Sequence, residues 1–311
     1  MIAKVRELAF ARVQVPDIVR ARRFFADFGL LEAAATEERV YLRGFGTARQ
    51  VLILEQGPRK LLSIGFEVES REVLERVAHA QHSPGATARS EPGGGWQLVV
   101  RDPDGNAIEL VAEMEHLSEI AVTRAPMNNG VERHRRVGTL VRPPIRPSHV
   151  IRLGHVVVTT PSPDRLSRWY RDTLGLLLSD EIYGPEGEQV LLSFNRLNRG
   201  DEYVDHHVFQ TMAGPAGGIH HISFEVLDID DLYIGHDCLT NEGYKHVWGI
   251  GRHKQGSQIF DYWLEPNGFM VEHWIDSDYL NASAIPGRDR VTSALGPWGP
   301  PLPPEFITQV A

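Results

Sequence analysis

The chain has 311 residues, a net charge of −9, 42% hydrophobic residues and 23% charged ones. That length exceeds one ordinary core and suits two domains of roughly 150 residues, and the composition excludes wholesale disorder. The acidic balance argues against a protein that coats nucleic acid, and the single cysteine, Cys238, excludes both an internal disulfide and a zinc site of several thiolates.

At the N-terminus no long apolar run follows the basic residues, so no signal peptide is expected. No stretch anywhere approaches the roughly 20 apolar residues of a membrane helix. With the lone cysteine, this predicts a cytoplasmic protein without membrane or nucleic-acid partners. Along the chain, a pattern of strand, helix and several strands occurs four times, near 6–55, 60–113, 150–196 and 218–276. In the third unit Val156, Val158 and Thr160 alternate as in a strand. Helical spacing covers 163–174 and 228–242, and Gly29 and Gly175 are placed to end helices. Between the second and third units, 117–148 lacks pattern and carries Arg124, Arg133, Arg135, Arg136, Arg142 and Arg146 with Pro143, Pro144 and Pro147. It reads as a connector with a solvated or interface surface. From 281 onward the chain is rich in proline and reads as an extended arm or lid.

The two halves are copies of one plan. LAFARVQVPDIVRARRFFADFGL in the first half matches LGHVVVTTPSPDRLSRWYRDTLGL in the second. LSIGFEV at 62–68 matches HHISFEV at 220–226, and DPDGNAIEL at 102–110 matches EPNGFMVEH at 265–273. Three matches in the same order indicate a duplication. The alignment pairs His155 with Phe10, His221 with Ser63, and Glu272 with Glu109. Two histidines and one carboxylate are the donor set of a facial metal site with open positions. Any one of them alone reads as a satisfied polar residue on a strand. Their joint restriction to one half favours a metal. Because adjacent strand residues face opposite ways, one of His220 and His221 is expected to share a face with the site; the repeat does not say which. Asn267 lies midway between Tyr262 and Glu272 in the turn Pro266-Asn267-Gly268. A symmetric hairpin there makes those two cross-strand partners on one face.

The segments LGHVVV, HHISFEV and EPNGFMVEH resemble the vicinal oxygen chelate superfamily. Within it, residues 5 to 280 are similar to the two-domain type I extradiol catechol dioxygenases. With the pattern above, this gives an α+β fold of four βαβββ modules paired into two domains with curled mixed sheets. Residues 1–116 are then an N-terminal vicinal oxygen chelate domain without a metal site. Residues 117–148 are the connector, 149–280 the catalytic metal-binding domain, and 281–311 the tail or lid. The resemblance implies His155, His221 and Glu272 as ligands of Fe(II) or Mn(II), a catecholic small-molecule substrate with O2, and a homo-oligomer. It implies an oxygen-stabilising, acid-base role for His207, on the strand before His221, with His206 as the neighbour one register away. It implies that His253 and Tyr262 contact the substrate oxygens and that His220 backs the ligand. Acid-cleaving relatives often carry an arginine about five residues before the loop histidine. Trp248 stands there, which points to a neutral, apolar-substituted catechol, with His206, His220 and Trp248 in the pocket wall.

Two other readings remain open. A glyoxalase-type isomerase or lyase on the same metal site would call for a further carboxylate ligand, and a non-catalytic aromatic-ligand binding protein would lack the full triad. His273 alternates with Glu272 and is expected to face away in a structural role. Trp274 and Tyr279 read as core or pocket lining, and Cys238 as a small buried residue. The glycines at 93–95 match no nucleotide loop.

Overall fold

The computed structural model describes residues 2–293 and 296–311. Four modules repeat one order of elements. The first is β1 (Val5–Val15), α1 (Ile18–Phe28), β2 (Leu31–Ala35), β3 (Arg39–Arg43) and β4 (Leu52–Gln56). The second is β5 (Lys60–Val68), α2 (Arg71–Ala80), β6 (Thr87–Ala88), β7 (Trp96–Arg101) and β8 (Ala107–Ala112). The third is β9 (Val150–Thr160), α3 (Pro163–Leu174), β10 (Leu177–Tyr183), β11 (Val190–Arg196), the short β12 (Val204–Asp205) and β13 (Phe209–Ala213). It runs past 196, where the sequence pattern fades, because β13 is needed to flank β9. The fourth is β14 (Gly218–Val226), α4 (Ile229–Asn241), β15 (Lys245–Arg252), β16 (Ile259–Leu264) and β17 (Met270–Ile275). After it come β18 (Tyr279–Leu280), β19 (Gly287–Arg290) and α5 (Pro304–Thr308).

The helices obey local rules. Asp17 and Asp228 cap α1 and α4 by accepting from the backbone N–H three residues on. Gly29 and Gly175 end α1 and α3 in the left-handed region, at φ 111° and 76°. At Gly29 a side chain would also overlap the backbone of Ser148, so the first helix ends hard against the start of the second half. In α3, Leu166, Tyr170 and Leu174 recur every four residues and are all buried.

The duplication is written in the sheets. One has the order β2-β3-β4-β1-β5-β8-β7-β6. The other has β15-β16-β17-β14-β9-β13-β11-β10, the same plan traversed in reverse, with β19 added at its edge. In each, the two module-leading strands pair antiparallel at the centre, β1 with β5 and β9 with β14. One hydrophobic cluster runs without a break from Ala3 to Ile275, so the two sheets share a core. Phe24 and Phe28 of α1 pack on Tyr244 and Phe224 of the second half. Among the described residues no helix is long and apolar enough to cross a membrane.

The repeat also shows what replaces the second half's histidines. Gly65 of β5 faces Phe10 and Glu109, as Ser223 of β14 faces His155 and Glu272. Phe10 lies across Gly65 so closely that a Cβ there would meet its ring at 2.6 Å. Next to it the guanidinium of Arg12 bonds both oxygens of Glu109, at 2.8 and 3.1 Å. It also donates to Glu55 at 2.9 Å and to Glu91 at 2.8 Å. The carboxylate aligned with Glu272 is thus matched by a guanidinium.

The connector 117–148 carries no helix or strand and is largely exposed. Arg124 and Arg146 pin it to Asp228 and Asp231 around the start of α4. The tail follows the second sheet: β19 pairs with β10, β18 with β12, and Ala311 pairs with Ile219 at the start of β14.

Candidate metal centre

His155, His221 and Glu272 come from three adjacent strands, β9, β14 and β17. Ser223 sits opposite both His155 and Glu272, and His221 is two residues before it, so all project from one sheet face. His155 Nε2 lies 3.3 Å from His221 Nε2 and 3.1 Å from Glu272 Oε2. His221 Nε2 lies 3.6 Å from that same oxygen. Donors about 2.1 Å from a shared ion and at right angles to each other stand about 3 Å apart, so the three converge as a facial set requires.

Protonation fits the same reading. Burial pushes the His221 imidazole well below its ordinary range, so it is neutral. His220 is also buried, which takes it down to about 4. Its Nε2 lies 2.7 Å from the Phe306 carbonyl, to which it donates, and its Nδ1 lies 2.7 Å from Nδ1 of His221. A neutral His220 must therefore accept from His221 Nδ1–H, which leaves His221 Nε2 as a bare lone pair facing the other donors. Burial opposes the charge of Glu272, but the imidazoles of His155 and His253 hold it ionised, well below the usual carboxylate range. Ser223 donates to its Oε2, while Oε1 is buried without a hydrogen bond. Two imidazoles, that of His221 neutral, and an ionised carboxylate, all buried, fit a divalent ion.

The triad opens on a cavity of about 430 Å³. His207, His253 and Tyr262 line it with His155 and His221. Tyr262 stands opposite Glu272 in the β16–β17 register, as the hairpin argument predicts. Its hydroxyl lies 2.9 Å from His253 Nε2. Burial, reinforced by Glu272, raises the phenol well above its ordinary range and keeps its proton. His207 is placed differently from expectation: it lies in the short link before β13, not on a strand. Its ring is 4.2 Å from that of His155, and Phe194 packs edge-on against it. Burial, with His155 and His206 adding to it, pushes its imidazole well below the ordinary range.

Other expectations are sorted by the same geometry. His206 is not in the cavity wall; this corrects its placement as a pocket residue. It stands behind His207, 3.1 Å between their Nδ1 atoms, with its Nε2 2.7 Å from Asp180. His220 and His221 both border the cavity, because a register shift in β14 between Ile219 and His221 breaks the strict alternation of faces. Trp248 lines the cavity, its indole donating to the Pro300 carbonyl at 3.0 Å. His273 faces away, donates to the Phe28 carbonyl at 2.8 Å and stacks on the Phe28 ring. Trp274 is core, whereas Tyr279 is exposed and outside this cavity wall, because β18 lies outside the main sheet. Cys238 is half-buried in α4. Sequence reasoning missed Asp180 and Phe306. Both reach the site through pairing and tail docking, for which local pattern carries no signal. Ser223 was legible in principle, two residues after His221 on the same face.

The model of the Glyoxalase/Bleomycin resistance protein/Dioxygenase superfamily matches residues 152–273. Metapyrocatechase 2 of Cupriavidus necator is 31% identical over 95% of this chain and 89% of its own length. An iron-dependent extradiol dioxygenase of Rhodococcus jostii is 23% identical over 95% of this chain and 96% of its own. Among solved structures, the Mn(II)-bound glyoxalase from Novosphingobium aromaticivorans superposes with a TM-score of 0.82 at 20% identity, over 98% of this chain and 94% of that one. Homoprotocatechuate 2,3-dioxygenase from Brevibacterium fuscum, in its complex with 3,4-dihydroxyphenylacetate, gives 0.81 at 20% identity, over 100% and 93%. These two share its fold. His155, His221 and Glu272 are the metal triad of this chain; iron is named for the Rhodococcus jostii relative and Mn(II) is bound in the Novosphingobium aromaticivorans structure. The chain belongs to the type I extradiol dioxygenases of the glyoxalase/bleomycin resistance/dioxygenase superfamily.

Proposed function

We propose that this extradiol dioxygenase cleaves a catechol bearing a neutral, apolar substituent. The observation that carries this is the cavity wall. Beyond its histidines it is built by Ile182, Leu191, Leu192, Phe194, Met212, Leu302, Phe306 and Ile307. No lysine or arginine lines it among the described residues, so a substrate carboxylate would be desolvated without a counter-charge. Gln210, Gln255 and Gln258 supply neutral polar contacts, and Trp248 adds a flat apolar wall.

When bound to His155, His221 and Glu272, the metal would supply charge that favours loss of catechol protons, and redox activity toward dioxygen. The protein's own groups divide the remaining work. On the Glu272 side, Tyr262 keeps its proton and its hydroxyl is a donor for a substrate oxygen. His253 Nε2, within reach of that hydroxyl, orients it. On the His155 side, His207 takes or returns a proton at Nε2. As Nε2 of His207 takes a proton from the substrate, its Nδ1 proton can pass to His206 Nδ1 and the His206 Nε2 proton to Asp180, so the charge need not stay on His207 and Nε2 is left a donor. Asp180, at the outer end, is partly exposed. Apolar walls and the tail over the cavity exclude water.

We assign residues 149–280 as the catalytic domain and 281–311 as its cover, with 1–116 as a partner domain free of metal and 117–148 as the connector. We also propose a homo-oligomer, with Val131, Val137 and Leu140 on the exposed connector as the apolar surface a second copy would bury. The test of the activity is oxygen uptake by protein loaded anaerobically with iron(II) or manganese(II), offered catechols with alkyl, aryl and carboxylate substituents. Fastest uptake with alkyl or aryl catechols, with yellow ring-opened product, is expected. Preference for the carboxylated catechol overturns the substrate reading. No uptake on any catechol with metal fully bound favours isomerase chemistry.

A further inference from the structure

On the opposite face of β16 from Tyr262 lies a second convergence of ligating groups. Asp261 is fully buried there. His236 of α4 brings Nδ1 to 3.0 Å from Asp261 Oδ2, and His246 of β15 brings Nε2 to 2.8 Å from Oδ1. One donor atom from each of the three lies within 4.8 Å of the others. The two imidazole rings stand 4.9 Å apart at 79°, so they converge on the carboxylate and do not stack.

Three observations separate this cluster from an ordinary buried hydrogen-bond network. First, two imidazoles from different elements, α4 and β15, reach the one carboxylate, which also accepts from the Trp263 indole at 2.7 Å. Second, the ion-pair partners of this buried carboxylate among the described residues are those two imidazoles, which are uncharged unless protonated. A buried carboxylate without a fixed cation is costly, and a divalent ion removes that cost. Third, the imidazole side chains are 25% and 32% exposed, so the cluster has an open side through which an ion and its water can enter.

We propose that His236, His246 and Asp261 form a second metal site that takes a divalent ion of the zinc class. Two nitrogens, one carboxylate oxygen and an open position make a four-coordinate zinc set. Iron(II) ranks below zinc and copper in intrinsic affinity for such donors, so this site favours a different ion from the one catalysis needs. The ion would staple α4 to β15 and β16, the strand that presents Tyr262 to the cavity.

The test starts from protein loaded anaerobically with iron(II), then dialysed against zinc(II), with both metals measured per chain. One further equivalent of zinc beside retained iron is expected. His236→Gln and His246→Gln should each weaken that zinc at least about tenfold and leave the iron in place. Both side chains are partly exposed, and circular dichroism checks that the variants fold. Cobalt(II) in place of zinc should give visible absorption that is lost in the same variants. No zinc beyond displacement of iron overturns the proposal. So does unchanged zinc binding in the double variant, which would place the ion elsewhere. Loss of the triad's iron in Glu272→Gln with the zinc retained is the result expected of two independent sites; loss of both ions overturns that independence.

Discussion

At the scale of single residues, the centre depends on groups with no spare partners. Glu272 is the carboxylate among the three ligands, and its replacement leaves two imidazoles without an anionic donor. Glu272→Ala is expected to lose the metal, read as iron per chain after gel filtration. His207→Phe is expected to keep the metal and lower kcat by about 10²- to 10⁴-fold, the ordinary worth of a general acid-base; unchanged turnover would remove its assigned role. Packing next to a ligand is equally strict. Gly154 precedes His155, and a Cβ there would overlap the Trp274 indole. Gly154→Ala is expected to destabilise the protein by about 1–3 kcal/mol and to lower metal occupancy, measured by urea unfolding and metal analysis.

Among the elements, those that repeat were the legible ones. β9, β14 and β17 carry alternating apolar residues, and their relation to β1, β5 and β8 exposes which positions changed to His155 and His221. The Tyr262–Glu272 pairing was legible because a short turn fixes hairpin register. His207 was harder, since the link before β13 obeys no period. His206 was misplaced because it stands as the alternative to His207 should a strand register slip by one, and the segment is not a strand. The role of α5 was not legible at all: five residues with no pattern become part of the site through where the tail lies. There the Phe306 carbonyl fixes the His220 tautomer and through it the His221 lone pair. Removing residues 303–311 should therefore weaken metal binding as well as raise KM for the catechol. A truncated protein with full metal affinity would reduce α5 to a simple cover.

For the molecule as a whole, the halves are joined by a continuous core and by buried polar ties. His273 is one such tie, donating to the end of α1. Burial lowers its imidazole from 6.5 to about 4. Below the unfolded value, the unfolded chain takes up a proton that the folded chain refuses. Stability therefore falls as pH drops from 6.5 toward 4, by on the order of 3 kcal/mol for this group. Urea midpoints of metal-free protein at pH 7 and pH 4.5 measure this. In His273→Phe the difference between them should shrink, and an equal difference would mean the tie does not control it.

The same duplicated frame solves one charge problem in two ways. In the second half, Glu272 awaits an ion that must be delivered and can be oxidised or withdrawn. In the first, Glu109 is matched by the guanidinium of Arg12, which is synthesised with the chain and cannot leave it. One half is thus complete at translation, and the other is finished only by the metal supply of its surroundings. Shortage of that metal would stock such a protein in an unarmed form that loading could restore without new synthesis.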